Sequence, residues 1–160
     1  MKILKKILVL LLIALVIAQF FGPEKNAGDI TSVEPFLTET NPPEDVKSIL
    51  KSSCFDCHSD STRYPWYNNI TPVNYWLDSH VKDGKKHFNI SESVWSKSEL
   101  KRKDHKFEEL IEMIEKKEMP LPSYTWTHSE AKLTDNQRAS IVAWGNKVRA
   151  MYAEQKGSAE

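Results

Sequence analysis

The 160 residues leave room for one domain. With 22 basic and 22 acidic side chains the charge cancels, which excludes a global attraction to nucleic acid or to an anionic surface. Both cysteines fall in one short motif, Cys54 and Cys57, so no disulfide framework is available.

The N-terminus reads as a targeting segment. Lys2, Lys5 and Lys6 precede an unbroken apolar run from Ile7 to Ala18, closed by Gln19-Phe20-Phe21-Gly22-Pro23. A run of this length suits the apolar core of a signal peptide better than a full membrane span. Phe20-Phe21, by contrast, resembles an interfacial aromatic end and favours an uncleaved anchor. Residues 1–22 are therefore expected to be a signal peptide or a membrane anchor. The lysines stay cytoplasmic, and everything after Pro23 is expected on the periplasmic side of a bacterial cytoplasmic membrane. Residues 23–41 are polar and acidic with no clear periodicity, and read as a tether. The domain proper is expected over 42–152.

Asn41-Pro42-Pro43 opens the first helix of that domain, with proline in its first turn. Val46, Ile49 and Leu50 then form one apolar face leading to Cys54. The next five residues, Cys54-Phe55-Asp56-Cys57-His58, have the pattern C-x-x-C-H of covalent haem attachment. Each thiol can form a thioether to one vinyl group of a single haem c. The two intervening residues place the sulfurs one helical turn apart, and the adjacent His58 lies where it can bind iron as proximal ligand. It should ligate through Nε2 while Nδ1 bonds to a backbone carbonyl near Pro65 or Pro72. A redox dithiol would need a strand-to-helix junction, and no convincing run of strands is present. A structural zinc would need further ligands, but His80, His87, His105 and His128 are scattered singly.

Residues 59–70 read as an ordered loop rich in aromatics. Thr71-Pro72 restarts a helix, with Thr71 as N-cap and Val73, Trp76, Leu77 and His80 on neighbouring faces, ending near Asp83-Gly84. Residues 82–106 are locally basic, with eight Lys or Arg against four acids. This is either a docking patch for an acidic partner or a solvated helix face. An amphipathic helix over roughly 98–117 carries Phe107, Leu110, Ile111 and Ile114 on one side. It stops before Met119-Pro120-Leu121-Pro122. The last helix opens at Thr134, with Gln137 completing a capping box, and turns Ile141, Trp144, Val148 and Met151 inward. Gly145 in that stripe is expected to admit the first helix closely. Residues 153–160 read as a disordered tail.

A helix leading into C-x-x-C-H, a Met-Pro loop and a closing helix opened by Leu133-Thr134-Asp135 resemble class I cytochrome c. The stretches Cys54 to Asp60, Tyr64-Pro65-Trp66-Tyr67, His80-Val81, Glu118 to Tyr124 and His128 to Leu133 are similar to a family of small exported bacterial haem-binding-domain proteins. That likeness covers about Gln19 to Lys147. It implies an all-α, cytochrome c-like helical domain around one covalent haem c and its iron. The class I likeness makes Met119 the expected distal ligand, with His80 as alternative distal ligand or pocket residue. Tyr64 and Trp66 are expected pocket residues, and Arg63 a partner for a haem propionate. Lys85 and Lys86 stand where the family resemblance leads one to expect arginine, so the bidentate fork is lost there. The expected function is a c-type monohaem electron carrier with an unidentified redox partner. Alternatives are a haem sensor or small peroxidase with an open distal position, and, more weakly, a thiol oxidoreductase.

Overall fold

Two helices frame the domain: α7 (Leu100–Glu115) and α9 (Asp135–Gly157) share the most extensive contact in the molecule. The protein, described here by a computed structural model covering residues 2–158, is all-helical. The other helices are α1 (Lys2–Ala18), α2 (Glu34–Thr40), α3 (Glu44–Ser53), α4 (Phe55–His58), α5 (Val73–His87), α6 (Glu92–Trp95) and α8 (Pro122–Thr125). Among the described residues the β structure amounts to one isolated antiparallel bridge, Ala27 with Ser61.

The α7–α9 seam depends on Gly145. A Cβ there would lie 3.0 Å from Cγ1 of Ile111. The close approach is therefore to α7, not to the first helix of the domain as the sequence suggested. Ile141, Trp144 and Val148 of α9 are buried against Phe107 and Ile114 of α7. The capping box forms as expected: Thr134 accepts from the Gln137 backbone, and the Gln137 side chain accepts from the Thr134 backbone.

The reading of 23–41 as a tether is overturned. Val33, Phe36, Leu37 and Thr40 are buried, and Phe36 sits at the centre of the aromatic core. Its ring meets Trp95 edge-on at 4.9 Å, stacks on Phe107 at 6.2 Å, and meets Phe88 and Trp144 edge-on, both at 6.1 Å. Such edge-to-face geometry matches the quadrupoles of the rings. Glu39 on the same helix accepts hydrogen bonds from Trp95 Nε1 at 3.1 Å, Lys103 Nζ at 2.7 Å and Tyr152 Oη at 2.7 Å. One carboxylate thus joins α2 to α6, α7 and α9, and its pairing is what allows Lys103 to be buried.

Three boundaries also move. Helix α5 is capped by Pro72, not Thr71. The Thr71 hydroxyl is occupied elsewhere, donating to Phe21 O at 3.1 Å and accepting from Asn74 Nδ2 at 3.0 Å. The helix then runs through Gly84 to His87. At the other end of the chain, residues 153–157 belong to α9 and are not a disordered tail. Tyr152 is fully buried, and Lys156 bonds Asp104 at 2.8 Å. Residues 159–160 of that expected tail lie outside the described residues.

The apolar residues of helix α1 from Ile3 to Ile17 are exposed. The helix has 17 residues, and no helix among the described residues is long and apolar enough to cross a membrane. The end of α1 is tied to the domain: Gln19 donates to Thr71 O at 3.1 Å and accepts from Thr71 N at 2.9 Å.

Because Phe36 is 0% exposed and ringed by aromatics, Phe36→Ala should destabilise the domain by about 3–5 kcal/mol in urea unfolding. A chain starting at residue 42 should fail to fold cooperatively. Retention of the full unfolding midpoint by that shortened chain would restore the tether reading.

Candidate functional site

Helix α3 delivers the motif. The Cys54 amide still bonds back to Leu50 O at 2.9 Å, and the backbone then tightens into the single turn of α4. Cys57 N and His58 N both donate to Cys54 O, at 3.2 and 3.0 Å. The turn places Cys54 against the hydrophobic core and Cys57 on a cleft.

His58 is held from two directions by the chain just beyond α5. Its Nδ1 bonds Phe88 O at 2.7 Å, and Ile90 N donates to His58 O at 3.0 Å. The expectation of a backbone carbonyl partner is met, but by Phe88, not by a residue near Pro65 or Pro72. Burial holds the imidazole below its ordinary pKa, an effect partly offset by the backbone bonds to Phe88 and Gly84. The neutral ring with its proton on Nδ1 presents a lone pair at Nε2, which is the state a metal-ligating histidine needs.

Gly84 makes this arrangement possible. A Cβ at that position would lie 2.5 Å from the Cys57 carbonyl oxygen and 3.0 Å from the Cys57 Cβ. Helix α5 therefore crosses the motif turn at a distance that any side chain would prevent.

Asp56, between the two cysteines, was not recognised from the sequence as a site residue. It is buried, and Arg63 grips it with a fork: Nε to Oδ1 at 3.0 Å and Nη2 to Oδ2 at 3.0 Å. Tyr124 Oη adds a bond to Oδ2 at 2.7 Å. Two aligned charge-assisted bonds fix orientation as well as position, and the Arg63 pKa rises through its hydrogen bonds to Asp56. Arg63 also donates to Ser52 O at 3.2 Å, so its guanidinium serves the motif turn, where a propionate had been expected as its partner. The available signal was an acid inside C-x-x-C-H with an arginine shortly after it.

The cleft beside Cys57 is open-sided and its lining is mostly apolar. Cys57, Tyr64, Trp76, His80, Tyr124 and His128 are among the residues that wall it. Tyr64 is on the wall, its hydroxyl accepting from Asn26 N at 2.9 Å. His80 is on the wall too, edge-on to Trp76 at 4.6 Å. Trp66 is not: the 3₁₀ turn Trp66–Asn69 swings it outward, 77% exposed, against the edge of Tyr67. Met119 is partly buried against the hydrophobic core, its carbonyl accepting from Arg138 at 2.8 Å. It does not line the cleft.

Desolvation pushes the Cys54 thiol up to about 12 and the Cys57 thiol up to about 11, with Asp56 adding to both. Reactive redox cysteines have lowered values in electropositive surroundings, so the site opposes the dithiol reading. No group of three or more His, Cys, Asp or Glu side chains among the described residues converges on a metal position, and the further ligands of a structural zinc site are not found. Two protonated thiols on one turn, a neutral oriented imidazole and an adjoining apolar cleft do fit a haem.

An all-helical domain built around that turn and cleft has the form of a small haem protein. The sequence pattern of the haem-binding domain matches residues 13–147, and the chain belongs to that family. It is also 31% identical over 113 residues to the cytochrome c peroxidase Ccp of Escherichia coli strain K12. That match takes in 65% of this chain but only 23% of the relative's length. No solved structure matches.

Gly84→Ala should lower stability by about 1–3 kcal/mol in thermal unfolding, even though alanine is worth about 1 kcal/mol more than glycine within a helix. A stabilised variant would show that the α4–α5 contact yields easily. The thiols also set a pH dependence for the haem-free chain. Below about pH 9 they are protonated in both states; above it the unfolded chain ionises first, so stability falls as pH rises toward 11 and 12. Tyr124 and Tyr152, also raised, act in the same direction. Urea midpoints from pH 8 to 11 should therefore fall less steeply in the Cys54→Ser, Cys57→Ser double variant than in the parent.

Proposed function

We propose that the protein is an exported c-type monohaem electron carrier, holding one haem through thioethers to Cys54 and Cys57 with His58 as proximal ligand. The observation that carries this reading is the His58 Nδ1 bond to Phe88 O at 2.7 Å beside two protonated thiols. Bound haem would supply an iron that cycles between ferrous and ferric states. The protein's own contribution is positional. Phe88 and Ile90 hold the imidazole, Arg63 and Tyr124 hold the motif turn through Asp56, and the cleft gives Cys57 a mostly apolar neighbourhood.

Met119 is the distal ligand that the resemblance of its Met-Pro loop to that of class I cytochromes c implies, but it packs on the core and not on the cleft. His80 is a second reading, favoured by its place on the cleft wall beside Cys57. A thioether would raise the reduction potential relative to a second imidazole. The peroxidase name belongs to a relative about four times longer than the matched stretch, and an open distal site would be needed to bring such chemistry here. Helix α1, apolar and exposed along its length, is the proposed export segment. It would put the domain on the periplasmic side of the membrane, where bacterial haem attachment takes place.

Expression with a c-type maturation system should yield a haem-staining band on a denaturing gel that survives acid-acetone extraction. Removal of residues 2–18 should abolish that band. The reduced protein should be six-coordinate and low-spin, and Met119→Ala should remove the thioether-to-iron band. An unchanged spectrum there, with loss of the low-spin state in His80→Ala, would transfer the distal role to His80. Extractable haem would sink covalent attachment, and ready carbon monoxide binding by the reduced parent would favour the sensor or peroxidase alternative.

A further inference from the structure

Behind the proximal histidine, on the side formed by the end of α5 and the start of α7, is a second, open groove. Lys85, Lys86, Phe88, Arg102, Lys103 and Lys106 line it, and no carboxylate does. Three of these cations have partners: Lys85 with Asp60 at 2.6 Å, Lys103 with Glu39 at 2.7 Å and Lys106 with Glu109 at 2.6 Å. Lys86 and Arg102 are exposed and make no ion pair among the described residues.

The placement of these charges has a local cost. Lys85 and Lys86 suit the C-terminal turn of α5, where the helix dipole favours cations. Lys101 and Arg102 stand in the first turn of α7, whose nearest acid is the N-cap residue Glu99, while Lys103 beside them is paired with Glu39. There the dipole and the side chains are of the same sign, an arrangement unfavourable by about 0.3–1 kcal/mol per charge. A helix built for stability alone would carry acids in place of Lys101 and Arg102. A break in local consistency of this kind marks a functional surface. Because the whole chain is neutral, the excess of four positive charges over residues 82–106 is balanced by negative charge elsewhere, which gives the molecule an electrostatic polarity.

The groove is also coupled to the site. Phe88 forms part of it, and the carbonyl of Phe88 accepts the Nδ1 proton of His58, with the two rings 5.8 Å apart. A partner seated there is one residue from the proximal imidazole, on a different face from the cleft beside Cys57.

We infer that this groove is the docking surface for an acidic redox protein, and that electrons cross between partner and haem by way of Phe88 and His58. The inference rests on the proposed haem reading. The step moves one electron from the partner's reduced cofactor to ferric iron, leaving the partner oxidised by one electron and the iron ferrous. No bond forms and no proton moves.

Two reduced flavins, anionic FMN and uncharged lumiflavin, serve as probes of the haem-loaded protein in stopped-flow reduction. At low ionic strength FMN should gain on lumiflavin by up to about tenfold through steering, and the advantage should collapse with added salt. The Lys86→Glu, Arg102→Glu double variant should lose or reverse the preference, while Lys132→Glu, outside the groove, should keep it. Equal flavin ratios in the parent and the double variant would overturn the inference while leaving the haem assignment intact. A second arm is independent of haem: a polyglutamate peptide should bind the parent and not the double variant, read by NMR shifts of groove amides. Binding to phosphatidylglycerol vesicles without binding to polyglutamate would likewise overturn it. Absence of covalent haem would instead strike the proposed function, and the peptide arm would still decide whether the groove takes an acidic protein surface.

Discussion

The hydrogen bond between His58 Nδ1 and the Phe88 carbonyl requires α4 and α5 to pass closer than side chains allow. Gly84 is the residue that lets them, since even one added carbon would meet the Cys57 carbonyl at 2.5 Å. Everything chemically distinctive about the site depends on that contact. It determines which imidazole nitrogen carries the proton, it buries the ring so that it stays neutral, and it sets Cys57 at the edge of the cleft. A glycine in mid-helix is unfavourable on backbone entropy, and here the close approach it permits offsets that disadvantage.

Around this contact the protein uses two polar clamps of similar design. In each, one carboxylate gathers donors from separate elements. Asp56 is held by Arg63 and Tyr124, which ties the motif turn to α8. Glu39 is held by Trp95, Lys103 and Tyr152, which ties α2 into the aromatic core. A buried or half-buried carboxylate is tolerated only when its lone pairs are matched in this way. The first clamp positions chemistry and the second positions the fold. Phe88 belongs to both regions: its ring packs with Phe36, Trp95 and Phe107, while its carbonyl serves His58.

Much of this was legible along the chain, and the misses have physical causes. The C-x-x-C-H turn, the α7 stripe and the Thr134 capping box depend on spacing over a few residues, so local pattern is enough to read them. Helix α2 also has its signal, Val33, Phe36, Leu37 and Thr40 at helical spacing, but Pro35 and the flanking acids disguise seven residues as linker. Thr71 failed as a cap because its hydroxyl found partners in Phe21 and Asn74, and Gly145 was matched to the wrong helix because a gap in a stripe does not name its occupant. Trp66 and Trp76 look alike in sequence as aromatics near the motif. The 3₁₀ turn sends the first to solvent and α5 brings the second to the cleft.

Residue order was therefore sufficient for the helical class and for the C-x-x-C-H turn, because each follows from interactions within one or two helical turns. It was not sufficient for the partner of His58, the role of Asp56 or the residues that share the cleft. Phe88 lies 30 residues from His58, and Tyr124 lies 68 from Asp56. Contacts at that range depend on how helices cross, and the crossing is set by packing volumes such as the missing side chain of Gly84, which have no signature in local periodicity.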